Sequence, residues 1–202
     1  MQIPSKFLEE AVEQFGSLPG IGKRTALRLV LNLMKREPEE LERFGDILKE
    51  LKHRVKTCSS CGNIADAPIC GICNNPNRNH SIICVVEDIR DVMAIESTAS
   101  FSGIYHVLGG IISPMDGVGP GDLFILPLID KCETGEVQEV ILALSPTMEG
   151  DTTNFYLFKK LQSTHVKITT LSRGISVGSE IQYADELTLS RSIIQRTEYK
   201  TN

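Results

Sequence analysis

Residues 58–73 read CSSCGNIADAPICGIC, and the chain changes grammar on either side of them. Cys58, Cys61, Cys70 and Cys73 are spaced C-x2-C-x8-C-x2-C. Each CxxC turn points two thiolates at one ion, so two turns supply a closed tetrahedral site. Four protein ligands leave no position for a reacting water, which makes the metal structural: one Zn2+ per chain, replacing a core that so short a segment cannot build. Iron of the rubredoxin type also takes four thiolates, and disulfides or a redox CxxC pair are the competing uses of these residues. Four of the six cysteines fall inside this one stretch, a metal spacing in a reducing compartment, and the expected location is cytoplasmic. Cys84, in the run SIICVV, reads as a buried thiol, and Cys132 as part of a polar connector. His53 and His80 flank the cluster and are surplus to it.

Toward the N-terminus everything is helical. Phe7, Leu8, Ala11, Val12 and Phe15 recur at helical spacing between Ser5 and Gly16. Leu18-Pro19-Gly20-Ile21-Gly22 is a tight connector. Ala26, Leu29, Val30 and Leu33 then share one face, and a third helix starts near Pro38 with Leu41, Phe44, Leu48, Leu51 and Val55. The stretch SLPGIGKRTALRLVLNL resembles a helix-hairpin-helix motif. Gly20 and Gly22 let backbone amides at a helix N-terminus approach an anion, and Lys23, Arg24 and Arg28 add charge around the same phosphate. Such a grip holds the backbone and reads no bases, so little sequence preference is expected. The competing reading is a turn between two core helices whose faces pack on a second subunit. A nucleotide-triphosphate loop is excluded: five residues separate Gly16 from Gly22, Arg24 follows Lys23, and a helix precedes.

Toward the C-terminus, short runs rich in Val and Ile lie at 82–86, 105–108, 124–128, 140–144 and 166–171, with helices at 88–97 and 152–161 between them. That alternation predicts a mostly parallel sheet covered by helices. The chain is therefore α+β and multidomain: a hairpin domain at 1–57, the knuckle at 58–80, an α/β domain at 81–172 and a C-terminal segment at 173–202.

Charge is unevenly divided. The net −5 conceals an acidic block at 81–144, where ten Asp and Glu face only Arg90 and Lys131. Gln14 to Arg36 instead carries Lys23, Arg24, Arg28, Lys35 and Arg36 with no acid. A polyanion could bind at the hairpin and is repelled by the middle of the chain. No apolar run approaches the roughly 18 residues of a membrane span, and the N-terminus turns acidic at once where a signal peptide would turn apolar.

After the strand at 82–86 come Glu87 and Asp88, and after the strand at 140–144 comes SPTMEGD, residues 145–151. This pairing resembles a Toprim domain, in which the first strand supplies a glutamate and the later turn two aspartates, commonly in D-P-D-R-E-G-E. Ser145 and Thr147 stand where those aspartates would hold magnesium, so no catalytic residue is assigned. The whole chain resembles the RecR family of bacterial recombination mediators, through LPGIGKRTALRL, CGNIADAPICGIC, VVEDIRDVMAIE, YHVLGGIISPMDGVGP and SRGISVGSEIQYADELTLSR. The family usually has N-P-T and E-G-E in the turn, so Ser145 and Asp151 are departures.

The resemblance implies a DNA-binding homo-oligomer, a dimer or tetramer ring, that works with RecO and RecF to load RecA on gapped DNA and is nucleoid-associated. It also marks Glu180 to Leu189 as Walker B-like; without a phosphate-binding loop, Asp185 and Glu186 read as a solvated face. Glu87, Asp88 and Asp91, at the end of the first strand, are expected to dock an electropositive protein, which the resemblance suggests is RecO; the competing reading is solvated surface that keeps the protein soluble. The competing classes are a magnesium-dependent Toprim nuclease or primase using Glu87, Asp88, Glu149 and Asp151, and a protein-only scaffold.

Overall fold

The computed structural model describes residues 3–172, 174–175 and 177–198. The chain divides into two compact units, Met1–Val55 and Lys56–Asn202.

The first unit is built from α1 (Lys6–Gly16), α2 (Lys23–Leu33) and α3 (Pro38–Arg54). The Ser5 hydroxyl caps α1 by accepting from the Leu8 amide at 3.3 Å, as its position before the first apolar residue predicts. Val12, Ala26 and Val30 form a small core, with Leu8, Phe15, Ile21 and Leu27 packed around it. α3 is helical where expected, but none of its 17 residues is buried, and Leu41, Ile47, Leu48 and Leu51 stay exposed. Helical spacing identifies its apolar face without saying what covers it.

The second unit opens with a two-stranded antiparallel ribbon, β1 (Lys56–Thr57) and β2 (Ile64–Ala65), that frames the first CxxC turn. There follow β3 (Asn79–Val86), α4 (Ile89–Ser97), β4 (Gly103–Val107), α5 (Leu126–Glu133), β5 (Glu139–Leu142), α6 (Met148–Leu161), β6 (Lys167–Thr170) and α7 (Glu186–Ile194). The four strands from β3 onward form one sheet in the order β4-β3-β5-β6, with all three pairings parallel. Alternation along β3 supplies two cores. Ile83 and Val85 join Leu128 of α5 and Leu157 and Leu161 of α6 on one face, while Cys84 and Val86 join Val92 of α4 on the other. A strand covered on both faces reads as an unbroken apolar run, which is why SIICVV is legible as β3.

Three expectations need correction. Residues 124–128 are not a strand: Pro127 lies in the first turn of α5, which begins at Leu126. Cys132 is not in a polar connector but on α5, one turn after Leu128 and buried with it. α6 begins four residues before Thr152, because Thr147 caps it by accepting from the Gly150 amide at 3.1 Å.

Candidate DNA interface and metal centre

The connector between α1 and α2 is a β-turn: Ile21 donates its amide to the Leu18 carbonyl at 3.1 Å, with Pro19 second and Gly20 third. Gly20 has φ +79°, the left-handed conformation that the third position of a type II turn requires. Gly22 is the N-cap of α2 and offers no side chain to its free amides. Elsewhere Ser5, Asp88, Thr147 and Asp185 cap their helices, and α3 and α5 place a proline in the first turn. α2 has neither device and no acid in its first turn, so its N–H groups and dipole end are left for an anion. Gly20, Gly22, Lys23, Arg24 and Arg28 are all exposed. Arg24, Arg28 and Lys35 border a shallow groove along α2 that also includes Leu27, Leu31 and Asn32.

In the knuckle, the sulfurs of Cys58, Cys61, Cys70 and Cys73 lie within 4.8 Å of one another, and Cys61 Sγ is 3.6 Å from Cys70 Sγ. A tetrahedral ion with metal–sulfur bonds of about 2.3 Å demands sulfur–sulfur edges of about 3.8 Å, so the set is already the size of a zinc tetrahedron. Backbone amides orient the sulfurs: Cys70 donates to Cys58 Sγ at 3.2 Å and Cys73 to Cys70 Sγ at 3.4 Å. Four sulfurs this close cannot all ionise unaided. The Cys61 thiol is pushed far up by its hydrogen bond to Cys73 and by burial, while accepting that bond draws Cys73 down to about 5. A divalent cation is what reconciles four thiolates in this space.

At the carboxyl ends of the central strands the structure brings together the Toprim-type residues. Glu87 follows β3, and Ser145 and Thr147 follow β5, bordering the point where the chain's crossovers change direction. Asp91 accepts from the amides of Glu87 and Asp88 at 3.2 and 3.1 Å, and Asp88 accepts from the Arg90 amide at 2.7 Å. The pair is a capping box for α4, and Asp88 is also ion-paired with the Arg90 guanidinium. Glu87 makes no such cap; partial burial and then the charges of Asp91 and Asp88 raise its carboxyl above the usual range. Asp151 lies 3.8 Å from the Arg191 guanidinium of α7. Asp185 caps α7 by accepting from the Thr188 amide at 2.9 Å, so it is more than a solvated acid.

Residues 8–52 match the RecR helix-hairpin-helix model, 55–75 the RecR four-cysteine zinc finger domain, 81–172 the Toprim domain and 174–197 the RecR C-terminal model. The chain is 56% identical to the recombination protein RecR of Bacteroides fragilis over 98% of its own length and 97% of that protein's. It is 57% identical to that of Phocaeicola vulgatus, covering 97% and 96%, and 54% identical to that of Flavobacterium johnsoniae, covering 99% and 97%. The chain belongs to the RecR family. Its four cysteines hold one structural zinc, and its architecture is the family's hairpin, zinc finger and Toprim domain in that order. Among the described residues, no helix is long and apolar enough to cross a membrane.

What joins the RecR zinc finger to its Toprim sheet is not readable from spacing. The Val107 amide of β4 donates to the Cys61 carbonyl at 2.7 Å, and Lys131 Nζ of α5 to the Ser60 carbonyl at 2.5 Å. Gly62, at φ +74°, lies so close to β4 that a Cβ would meet the Val107 oxygen at 2.4 Å. Arg78 pairs with Glu96, one nitrogen at 2.9 Å from its Oε1, and also donates to the carbonyls of Phe101 and Gly103 at 3.1 and 3.3 Å. Tyr105 completes this network by donating to Glu96 at 2.7 Å. His106 is buried, stacked on Phe124 and hydrogen-bonded through Nε2 to its carbonyl.

Proposed function

We propose that this RecR-family chain is a recombination mediator without catalytic activity: an oligomeric DNA-backbone clamp that helps RecO and RecF load RecA in recombinational repair. The observation that carries the reading is the uncapped N-terminus of α2 behind Gly20 and Gly22, with Lys23, Arg24 and Arg28 exposed around it. Amides at a helix end recognise phosphate and carry no base code, so the DNA contact is sequence-tolerant. One hairpin makes few contacts, and affinity then comes from several hairpins on one DNA, as in a dimer or tetramer ring. The exposed Ile47, Leu48 and Leu51 of α3 support association, since a single copy leaves them in water. In this reading the working parts are the hairpin at 1–57, the knuckle at 58–80, the Toprim-like domain at 81–172 and the tail at 173–202, in a cytoplasmic, nucleoid-associated protein.

The absence of catalysis rests on Ser145 and Thr147. Magnesium is held through carboxylates and waters, and the Thr147 hydroxyl is already spent on capping α6. RecO docking is assigned to the acids after β3. Asp88 and Asp91 serve the α4 cap, so Glu87 is the member of the trio whose charge is left for a basic partner.

The test is DNA binding titrated against salt, with mass measured in solution. Lys23→Ala with Arg28→Ala should weaken binding to all sequences alike and lower the log–log salt slope by about one unit for each phosphate no longer neutralised. A change in base preference, or tight binding by a strict monomer, would overturn the clamp. Cleavage of gapped DNA on adding magnesium would favour the nuclease reading. RecO affinity unchanged in a folded Glu87→Lys variant would remove the acidic surface from the mechanism.

A further inference from the structure

Cys58, Cys61 and Cys70 are buried, whereas Cys73 is half-buried and opens into a cavity of about 170 Å3 whose walls include Ser60, His80, Lys131 and Glu136. Four thiolates on a divalent ion carry a net charge of about −2. Between Cys58 and Cys73 the sequence holds one acid, Asp66, and no Lys or Arg. The knuckle therefore adds to its own negative charge, and burying that charge is costly unless a cation from elsewhere offsets it. Lys131 reaches it from α5. Its Nζ donates to the Ser60 carbonyl at 2.5 Å, inside the first CxxC turn, and it shares the cavity with Cys73 of the second turn. Among the described residues Lys131 makes no salt bridge, and the acid that shares its cavity is the exposed Glu136.

We propose that Lys131 is the counter-charge of the zinc centre, a residue lent by the Toprim body that slows the departure of Cys73 from the metal. Cys73 is then the first ligand to leave, and zinc affinity depends on α5 being in place. The residues that surround a metal's ligands commonly change its affinity by about 10- to 100-fold when replaced.

The experiment follows zinc release from the full-length, zinc-loaded protein into an excess of a chromogenic chelator. Lys131→Gln keeps an N–H donor, one bond shorter in reach, and removes the charge; Lys131→Arg keeps a donor and the charge. The expected result is release about tenfold faster in Lys131→Gln, with Lys131→Arg close to the unmodified protein. Loaded with cobalt, Lys131→Gln should retain the thiolate-to-metal charge-transfer band of four sulfur ligands while binding cobalt more weakly. Unmodified release and cobalt affinity in Lys131→Gln would overturn the proposal, as would equal acceleration in the Arg and Gln variants, which would make the role one of packing. Should Lys131→Gln not fold, Glu136→Gln carries the test from the exposed wall of the same cavity. Removing that acid should slow release, and an unchanged or faster rate refutes the electrostatic role.

Discussion

A methyl group added at Gly62 would sit 2.4 Å from the Val107 carbonyl oxygen and 3.0 Å from the Phe124 ring, at a backbone φ of +74°. Three costs combine. An L-residue in the left-handed region loses about 1–2 kcal/mol, and overpacking against a backbone that cannot rotate away adds about 1–3 kcal/mol. Any retreat of the turn also stretches the neighbouring hydrogen bond from the Val107 amide to Cys61, worth about 1 kcal/mol. Gly62→Ala should therefore lose about 4 kcal/mol, which for a body of this size lowers the melting temperature of the zinc-loaded second unit by about 10 °C. Gly109→Ala is the control: its φ is +82° but nothing lies within 4 Å of the added carbon, so only the conformational cost applies. Thermal unfolding by circular dichroism, with zinc content measured on the same samples, reads both. If Gly62→Ala melts no lower than Gly109→Ala, the close approach of knuckle to sheet is not what holds them together.

Elemental analysis should find one zinc per chain, and Cys70→Ser should hold less and melt lower; full zinc with unchanged melting would contradict the four-sulfur site. Gly150→Ala should cost about 2 kcal/mol despite the better helix propensity of alanine, because the new carbon falls 2.0 Å from the Ser145 carbonyl oxygen; a stabilised variant would show that the turn yields freely. His106 is held neutral: burial first, then the nearby Lys131 charge, lower its pKa to about 4 from an ordinary 6.5, and the Phe124 carbonyl can only accept, so Nε2 carries the proton. Between those values the unfolded chain binds the proton and the folded chain does not, so roughly 3 kcal/mol of stability disappears as pH falls from 6.5 toward 4. Denaturant midpoints of His106→Phe should fall less steeply over that range, and equal slopes in the two proteins would remove His106 as the cause.

The parts of this molecule set by neighbours in sequence are the legible ones. Cysteine spacing points to the metal site, the LPGIG turn lies between α1 and α2, and the alternation of runs corresponds to a parallel sheet. Short apolar runs are ambiguous, and Phe124 to Leu128 shows why. Five residues satisfy strand and helix alike, and Pro127, which argues against a central strand, is the signal that settles it. Cys132 looks like connector because polar residues stand beside it, whereas its partner is Leu128, one helical turn back. Asp88 and Asp91 read as a charged cluster, though D-x-x-D before an apolar run is also a capping pattern. Arg78, His106 and Lys131 carry no local signal, because their partners lie 18 to 71 residues away.

The order β4-β3-β5-β6 leaves β4 with one side unpaired by any strand of the sheet, and it is on that side that Val107 donates to the Cys61 carbonyl. An uncovered strand edge is a template on which a second molecule can add its own strand. The zinc finger thus covers the β4 edge at Val107 as well as holding its own loops together, while β6 is the other edge of the sheet. Stripping the metal should be followed by light scattering and thioflavin binding, in proportion to protein concentration, before the helices of the first unit melt.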